Sequence, residues 1–533
     1  MKADRRTILG VGAAAACAAG GAFALTRSAA LPEGEIDGAD VARGHRLRDG
    51  NFPAPVRVEQ TDLLIAGGGV AGLSAGWRLA DAGFTRFRLV ELEDRIGGNS
   101  RAGRNAISAF PLGAHYLPVP NREGKALHHL LRQLGMVTGE QDGAPVYDPT
   151  QLCADLQERL FWQGSWQEGL IPRTGLTPAD RRDLSEFQRA MAGYSAQIGS
   201  DGKPAFAIPI AYSSQDATLR ALDRTSFTAW LDDRAWRSPV LRAHVRYAMR
   251  DDYGTEPDQV SAWAGIHYFA SRRGWAANDA GGNELTWPEG NARLTTGMAA
   301  RFRDRITPGM VVHRVTRQGG HIDADCFDVA ANESIRIRAR AAILAIPHFI
   351  AARVCSEVPP APGFSYAPWL VANVTVDRLP SGRGAPLAWD NVASGSNSLG
   401  YVVATHQGPA AMPSASVLTW YLPLSDMTPA SARRLLLERP ASEWKKIVRD
   451  DLMATNPELD GAIRRIDLWR WGHAMIRPTP GFLDRGKAIP APPLFLAHSD
   501  LSGLSLFEEA NYHGVRAAEA AMTHLAHRHE SLL

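Results

Sequence analysis

Gly67, Gly69 and Gly72 stand at the spacing of a G-x-G-x-x-G turn, and Glu91 follows about twenty residues later, a pattern suited to holding a dinucleotide. The first glycine allows a tight turn, the second lets backbone approach a pyrophosphate, and the third lets a helix pack close on a strand. A carboxylate at Glu91 would accept hydrogen bonds from a ribose. These residues act together only if flanking elements place them. The apolar run Leu63 to Ala66 reads as a buried parallel strand, and Phe87 to Val90 as a second strand ending on Glu91. Between them, Val70 to Ala82 has helical apolar spacing at Leu73, Trp77 and Leu79. Its first amides, at Val70 and Ala71, would point with the helix dipole at the phosphates. The alternative is a glycine-rich turn that only packs a helix on a strand.

The continuation Glu91-x-x-x-Arg95-Ile96-Gly97-Gly98-Asn99-Ser100 resembles the flavin-containing amine oxidoreductase superfamily. That superfamily includes monoamine and polyamine oxidases and, more distantly, porphyrinogen oxidases and carotenoid desaturases. The resemblance implies FAD as the cofactor. It also implies an α/β fold, with a discontinuous Rossmann-like FAD-binding domain and an inserted α+β substrate domain. By the same resemblance Gly97 and Gly98 bring the chain back over the pyrophosphate, with Asn99 where the family usually has an arginine, followed by Ser100. The stretch Phe110 to Leu117 corresponds to a turn passing the flavin ring. Gly113 and Ala114 would lie against the cofactor, and His115 and Tyr116 on the active-site wall, or else as a loop histidine and a packing tyrosine. The Val312 backbone would meet the adenine edge, and Asp500 the ribityl or pyrophosphate part. Glu508, Glu509 and Ala510 would open a final helix aimed at the flavin N1 and C2 carbonyl. Reduced flavin gathers negative charge there, and a helix N-terminus stabilises it by about 0.3 to 2 kcal/mol.

The rest of the chain divides around these motifs. Residues 1–30 carry Arg5-Arg6-Thr7-Ile8-Leu9 ahead of an Ala- and Gly-rich run, which reads as a twin-arginine signal and predicts export to the periplasm by that machinery. Cys17 is placed for a lipid anchor. Residues 31–56 read as a linker with little structure. The FAD-binding domain is expected in 57–120, 285–349 and 486–533, and the substrate domain in 121–284 and 350–485. With 533 residues, 45% of them hydrophobic, the chain is large enough for two cores. A formal net charge of +2 points to no nucleic-acid partner. The separated Cys153, Cys326 and Cys355 suggest no metal site.

The middle of the chain departs from the amine oxidases. By resemblance, Asn373 takes the place of a lysine that holds a water near flavin N5, and Ala474 and Leu506 replace the two tyrosines of the monoamine oxidase cage. His473 would then lie beside the flavin, as a proton acceptor or as a histidine bonded to backbone under a tryptophan-rich sheet. Asp251, Asp252 and Glu256 precede the aromatic stretch Trp263 to Phe269 and could hold a cation, or form a solvated helix end. Three readings remain open. One is a dehydrogenase of an amine, with polyamines among the candidates, which moves hydride to flavin N5 and passes electrons to a separate acceptor. The others are a desaturase or oxidase of an apolar ring or polyene, and a catalytically silent flavin protein.

Overall fold

The computed structural model describes residues 31–278, 284–407, 414–485 and 489–533. The expected β-α-β unit forms the centre of one sheet. Strand Pro55–Ala66 pairs in parallel with Phe87–Val90 on one side and with Glu333–Leu344 on the other. Leu63, Leu64, Ile65 and Ala66 are fully buried, because helices cover both faces of a parallel strand. The Gly67 and Gly72 positions show why the turn needs glycine. Gly67 has φ +108°, and a Cβ on Gly72 would stand 1.9 Å from the Gly67 carbonyl oxygen. Helix Val70–Asp81 can therefore lie directly against the strand end. The seven-stranded sheet is completed by Ile306–Thr307, Met310–Gln318, His321–Asp328 and Leu494–Leu496. The C-terminal helix Phe507–His524 packs on Val70–Asp81.

The second sheet has eight strands, with the long Tyr366–Val376 and Ile463–Ile476 near one edge and Asp390–Ala393, Glu158–Trp162 and Ser165–Glu168 toward the other. Helices Pro178–Ala196, Pro239–Tyr253 and Ala262–Ala270 build a separate apolar core beside it, including Phe227, Trp230 and Trp263. Trp263 thus belongs to the packing of that core.

Residues 31–56 are not an unstructured linker. Strand Ile36–Gly38 adds to the edge of the second sheet, parallel to Ile463–Ile476. Helix Val41–Asp49 follows, capped by the Asp40 carboxylate on the Arg43 amide and closed by Gly50 in the left-handed conformation. The segment reads as polar because its helix buries only Leu47. Leu47 packs in the core that also contains Val312 and Phe327, while the Arg46 guanidinium lies 3.8 Å from the Phe327 ring centroid. Arg5, Arg6 and Cys17 lie outside the described residues.

Candidate functional site

A cavity opens at the carboxyl end of the first sheet. Gly69, Val70 and Ala71 line it from one helix start and Leu506, Phe507 and Ala510 from another. Neither helix has a side-chain cap, so two sets of unsatisfied amides meet one cavity, an arrangement that favours a ligand with negative charge at both places. Glu91 lines the wall with its carboxylate accepting from the Gly68 amide at 2.5 Å and the Glu93 amide at 2.9 Å. Burial pushes its pKa up against those two bonds. Asp500 accepts from the Tyr366 hydroxyl at 2.6 Å and the His348 amide at 2.8 Å. Burial alone would raise this group, yet His498, Tyr366 and the His348 amide hold it below the ordinary carboxylate value. The remaining cation of the wall is Arg101, paired with Glu93 at 3.3 Å and 5.2–5.3 Å over the Trp469 and Trp471 rings.

A second cavity adjoins the first. The two share Asn99, Ala114, Trp471, Ala474, Ser505, Leu506 and Phe507. One part of its wall is aromatic: His115 stacks on Tyr421 at 4.6 Å and meets Tyr116 edge-on at 5.0 Å, with Trp369 and Trp471 nearby. Burial lowers His115 to about 4, so this imidazole is neutral at physiological pH. The polar part of the wall holds Asp251, Asp252 and Arg272. Arg272 donates to both Asp252 oxygens at 2.7 Å and neutralises that carboxylate. Asp251 has no ion pair of its own, and burial followed by the Asp252 charge lifts it to about 7 against the Arg272 charge and a hydrogen bond from Tyr116.

Residues 70–522 match the family model described as flavin containing amine oxidoreductase. The chain belongs to this family. It is therefore an FAD-dependent oxidoreductase, and the two uncapped helix starts facing the larger cavity fit the pyrophosphate and the electron-accepting end of FAD. The fold is similar to that of a putrescine oxidase variant with redesigned cofactor binding (TM-score 0.65, 17% identity, 87% of this chain and 99% of that one). It is likewise similar to cyclohexylamine oxidase from Brevibacterium oxydans IH-35A (TM-score 0.63, 17% identity, 88% and 100%). A short segment is 35% identical over 81 residues to the human peroxisomal N(1)-acetyl-spermine/spermidine oxidase, and it spans 15% of this chain and 16% of that relative.

The expected cofactor residues divide between the cavities. Gly67, Gly69, Val70, Ala71, Glu91, Gly98, Asn99, Ser100, Ala114, Asp500 and Ala510 line the FAD cavity. Gly72 and Gly97 support it from behind, Gly97 by donating its amide to the Gly68 carbonyl at 2.7 Å. Gly113, His115, Tyr116 and Glu508 line the substrate cavity instead. Glu509 turns inward, accepting from the Ile210 amide at 2.6 Å and the Ser502 hydroxyl at 2.6 Å, so it braces the helix start and does not face a ligand. Val312 packs in the core beside Leu47 and lines neither cavity.

The catalytic expectations shift more. Asn373 is buried two residues past Val371, where its carbonyl oxygen accepts from Thr419 at 2.9 Å, and it reaches neither cavity. Strand alternation puts Trp369 and Val371 on the cavity face, and the strand has moved away from the cavity by residue 373. His473 lines the FAD cavity and not the substrate cavity, stacked on Phe349 at 4.9 Å. Desolvation, then the Arg433 and His45 charges, lower it to about 4. Ala474 and Leu506 do lie at the junction of the cavities. Glu256 is taken up by Arg246 at 2.8 Å and by the Ser425 hydroxyl, so the acids that line the cavity are Asp251, Asp252 and Glu508.

Sequence reasoning missed Arg101, the leader residues Ala39, Gly44 and Leu47 of the FAD cavity, and Arg272. Arg101 carried a signal, since it stands two positions beyond the Asn99 that replaces the family's arginine. Asn99 itself donates to the Ala474 carbonyl at 2.5 Å and ties the return loop to the second sheet.

Proposed function

We propose that the enzyme dehydrogenates an amine at the carbon bearing nitrogen, giving an imine, and that a molecule other than oxygen takes up the electrons. The observation that carries this is the unpaired Asp251 in an aromatic cavity that shares a wall with the FAD cavity. FAD supplies the acceptor for the hydride. The chain's own residues do the rest. Trp369, Tyr421 and Trp471 exclude water and present aromatic surface to an alkyl stem and its cation. Asp251, poised at about 7, holds the substrate ammonium and can take a proton from it near neutral pH. The uncapped Leu506–Phe507 helix start directs its amides at the junction. A desaturase of an apolar polyene would instead leave the Asp251 carboxylate against hydrocarbon, a costly arrangement.

The separate acceptor is supported by the lining residues: no lysine is among them, and the Arg272 charge is cancelled by Asp252. The Arg5-Arg6 leader supports delivery outside the cytoplasm, where such an acceptor would be met. Anaerobic addition of primary amines to the purified flavoprotein should bleach it, and mixing the reduced protein with air-saturated buffer should reoxidise it more slowly than turnover with an artificial acceptor. No bleaching by any amine would refute the amine reading. Reoxidation by air as fast as turnover would refute the dehydrogenase assignment.

A further inference from the structure

A third cavity lies apart from the site described above and shares no lining residue with the FAD and substrate cavities. Val240, Ala243, His244, Tyr247 and Arg250 line it from one face of the helix Pro239–Tyr253, whose last turn gives Asp251 and Asp252 to the substrate cavity. Leu160 and Val392 line it from the paired strands Glu158–Trp162 and Asp390–Ala393. Ala243, Ser394 and Gly395 are exposed and mark its mouth, while Leu160, Val240, Arg250 and Val392 are buried and form its floor.

The wall is basic. Arg246, Arg250 and His244 line it, and among the described residues no carboxylate does. Arg250 is 3% exposed, so its guanidinium has left bulk water. It donates through Nε to the Ser425 hydroxyl at 2.9 Å and through Nη2 to the Asn397 and Pro423 carbonyls, and Nη1 has no partner among the described residues. The carboxylate within its reach, Glu256, is shared: Arg246 takes both oxygens at 2.8 and 2.9 Å, and Arg250 reaches one at 3.4 Å. Two guanidiniums thus divide one carboxylate, and a buried cation short of counter-charge calls for an anion. Burial and the Arg246 charge accordingly lower Arg250 to about 10, against Glu256 and the exposed Asp426. His244 is a second unsatisfied group. Its Nδ1 is buried with no hydrogen-bond partner among the described residues, and burial lowers the ring to about 4, so it stays neutral. The rest of the wall is apolar, with Leu160, Trp162, Leu170, Pro172, Val240 and Val392. A ligand suited to this surface combines a negative charge with a hydrocarbon body.

We propose that this cavity binds an aliphatic carboxylic acid, with the carboxylate at Arg250 and Arg246 and the chain along Leu160, Val240 and Val392. The site is separate from the amine reading above and does not rest on it. Calorimetric titration of the FAD-loaded protein with octanoate, acetate and n-octylamine tests the assignment. Octanoate is expected to bind at least about tenfold tighter than acetate, which lacks the methylenes that the apolar wall would cover. The amine of the same length and opposite charge should not displace it. Arg250→Gln is expected to weaken octanoate by roughly tenfold or more, the equivalent of one charge-assisted hydrogen bond, with flavin content unchanged. Ala243→Trp, at an exposed helix position on the mouth, should weaken it as much by filling the entrance, and it carries the test if Arg250→Gln fails to fold. No binding of octanoate at millimolar concentration, displacement of octanoate by n-octylamine, or unchanged octanoate affinity in either folded variant would overturn the proposal. A shift of the flavin absorption on adding octanoate would overturn it as well, because the acid would then lie in the substrate cavity.

Discussion

The two adjoining cavities present opposite kinds of surface. The larger is lined by glycine backbone and by two helix starts without side-chain caps, which present main-chain amides to it. The smaller is lined by side chains such as Asp251, Arg272, Trp369, Tyr421 and Glu508, which come from stretches far apart in the chain. Backbone recognition demands a local conformation, and a local conformation demands particular residues at fixed spacing. Side-chain recognition demands only that distant elements fold together, and it leaves no spacing to read.

The strongest way to break this contrast is Gly69→Val. A Cβ on Gly69 meets nothing closer than the Gly98 Cα at 4.0 Å, so the protein should fold while the new side chain projects into the FAD cavity. Flavin absorbance of the purified protein is expected to disappear, a loss of roughly a hundredfold or more in affinity. Retention of full flavin would show that the backbone surface is not the recognition element.

Next in size is Asp251→Asn, which keeps the shape of the substrate cavity, removes the Asp251 charge and leaves Glu508 in place. Flavin content should be unchanged. The kcat/KM for amine donors is expected to fall by roughly 10- to 100-fold, the equivalent of one lost charge-assisted hydrogen bond. A variant that lost flavin together with activity would blur the division between the regions.

Arg101→Met tests the one side-chain cation of the FAD cavity. Its packing on Trp469 and Trp471 should survive in the thioether. Flavin affinity is expected to drop by about tenfold, read as faster release in fluorescence.

The smallest effect is on stability. Asp251 is raised from the usual carboxylate range to about 7 by burial, the Asp252 charge and Glu158, against the opposing Arg272. Between about pH 4 and pH 7 the folded state holds a proton that the unfolded chain has lost, so stability falls as pH rises through that window. The contribution is on the order of 1 kcal/mol once cavity water is allowed for. Melting temperature measured at pH 5 and pH 7.5 should differ less in Asp251→Asn than in the parent. An unchanged difference would assign the slope to Glu508 and Glu509, which are also raised to about 7.

These differences explain what could be read beforehand. The strand, turn, helix and Glu91 of the nucleotide unit were legible because the glycines report steric demands felt within a few residues. The junction residues Ala474 and Leu506 were placed correctly at the cavity wall, since they follow from the same family spacing. Asn373 was not, because two residues along a strand restore the same face but move the side chain by nearly 7 Å. Arg272 was invisible as a member of the wall, because only the packing of its segment against the helix Pro239–Tyr253 brings it to Asp252. The leader helix was hidden by composition, since a helix held by one leucine and a cation on aromatic rings has almost no apolar stripe.

That leader also completes a wall of the FAD cavity. Ala39, Gly44 and Leu47 form part of the FAD cavity wall, and the segment is fastened by the Asp40 amide on Glu93 and by Arg43 on the Leu92 carbonyl. The nucleotide unit alone would leave this side of the cavity open. Cutting the chain after Gly50 should turn a retained cofactor into one that equilibrates with free flavin.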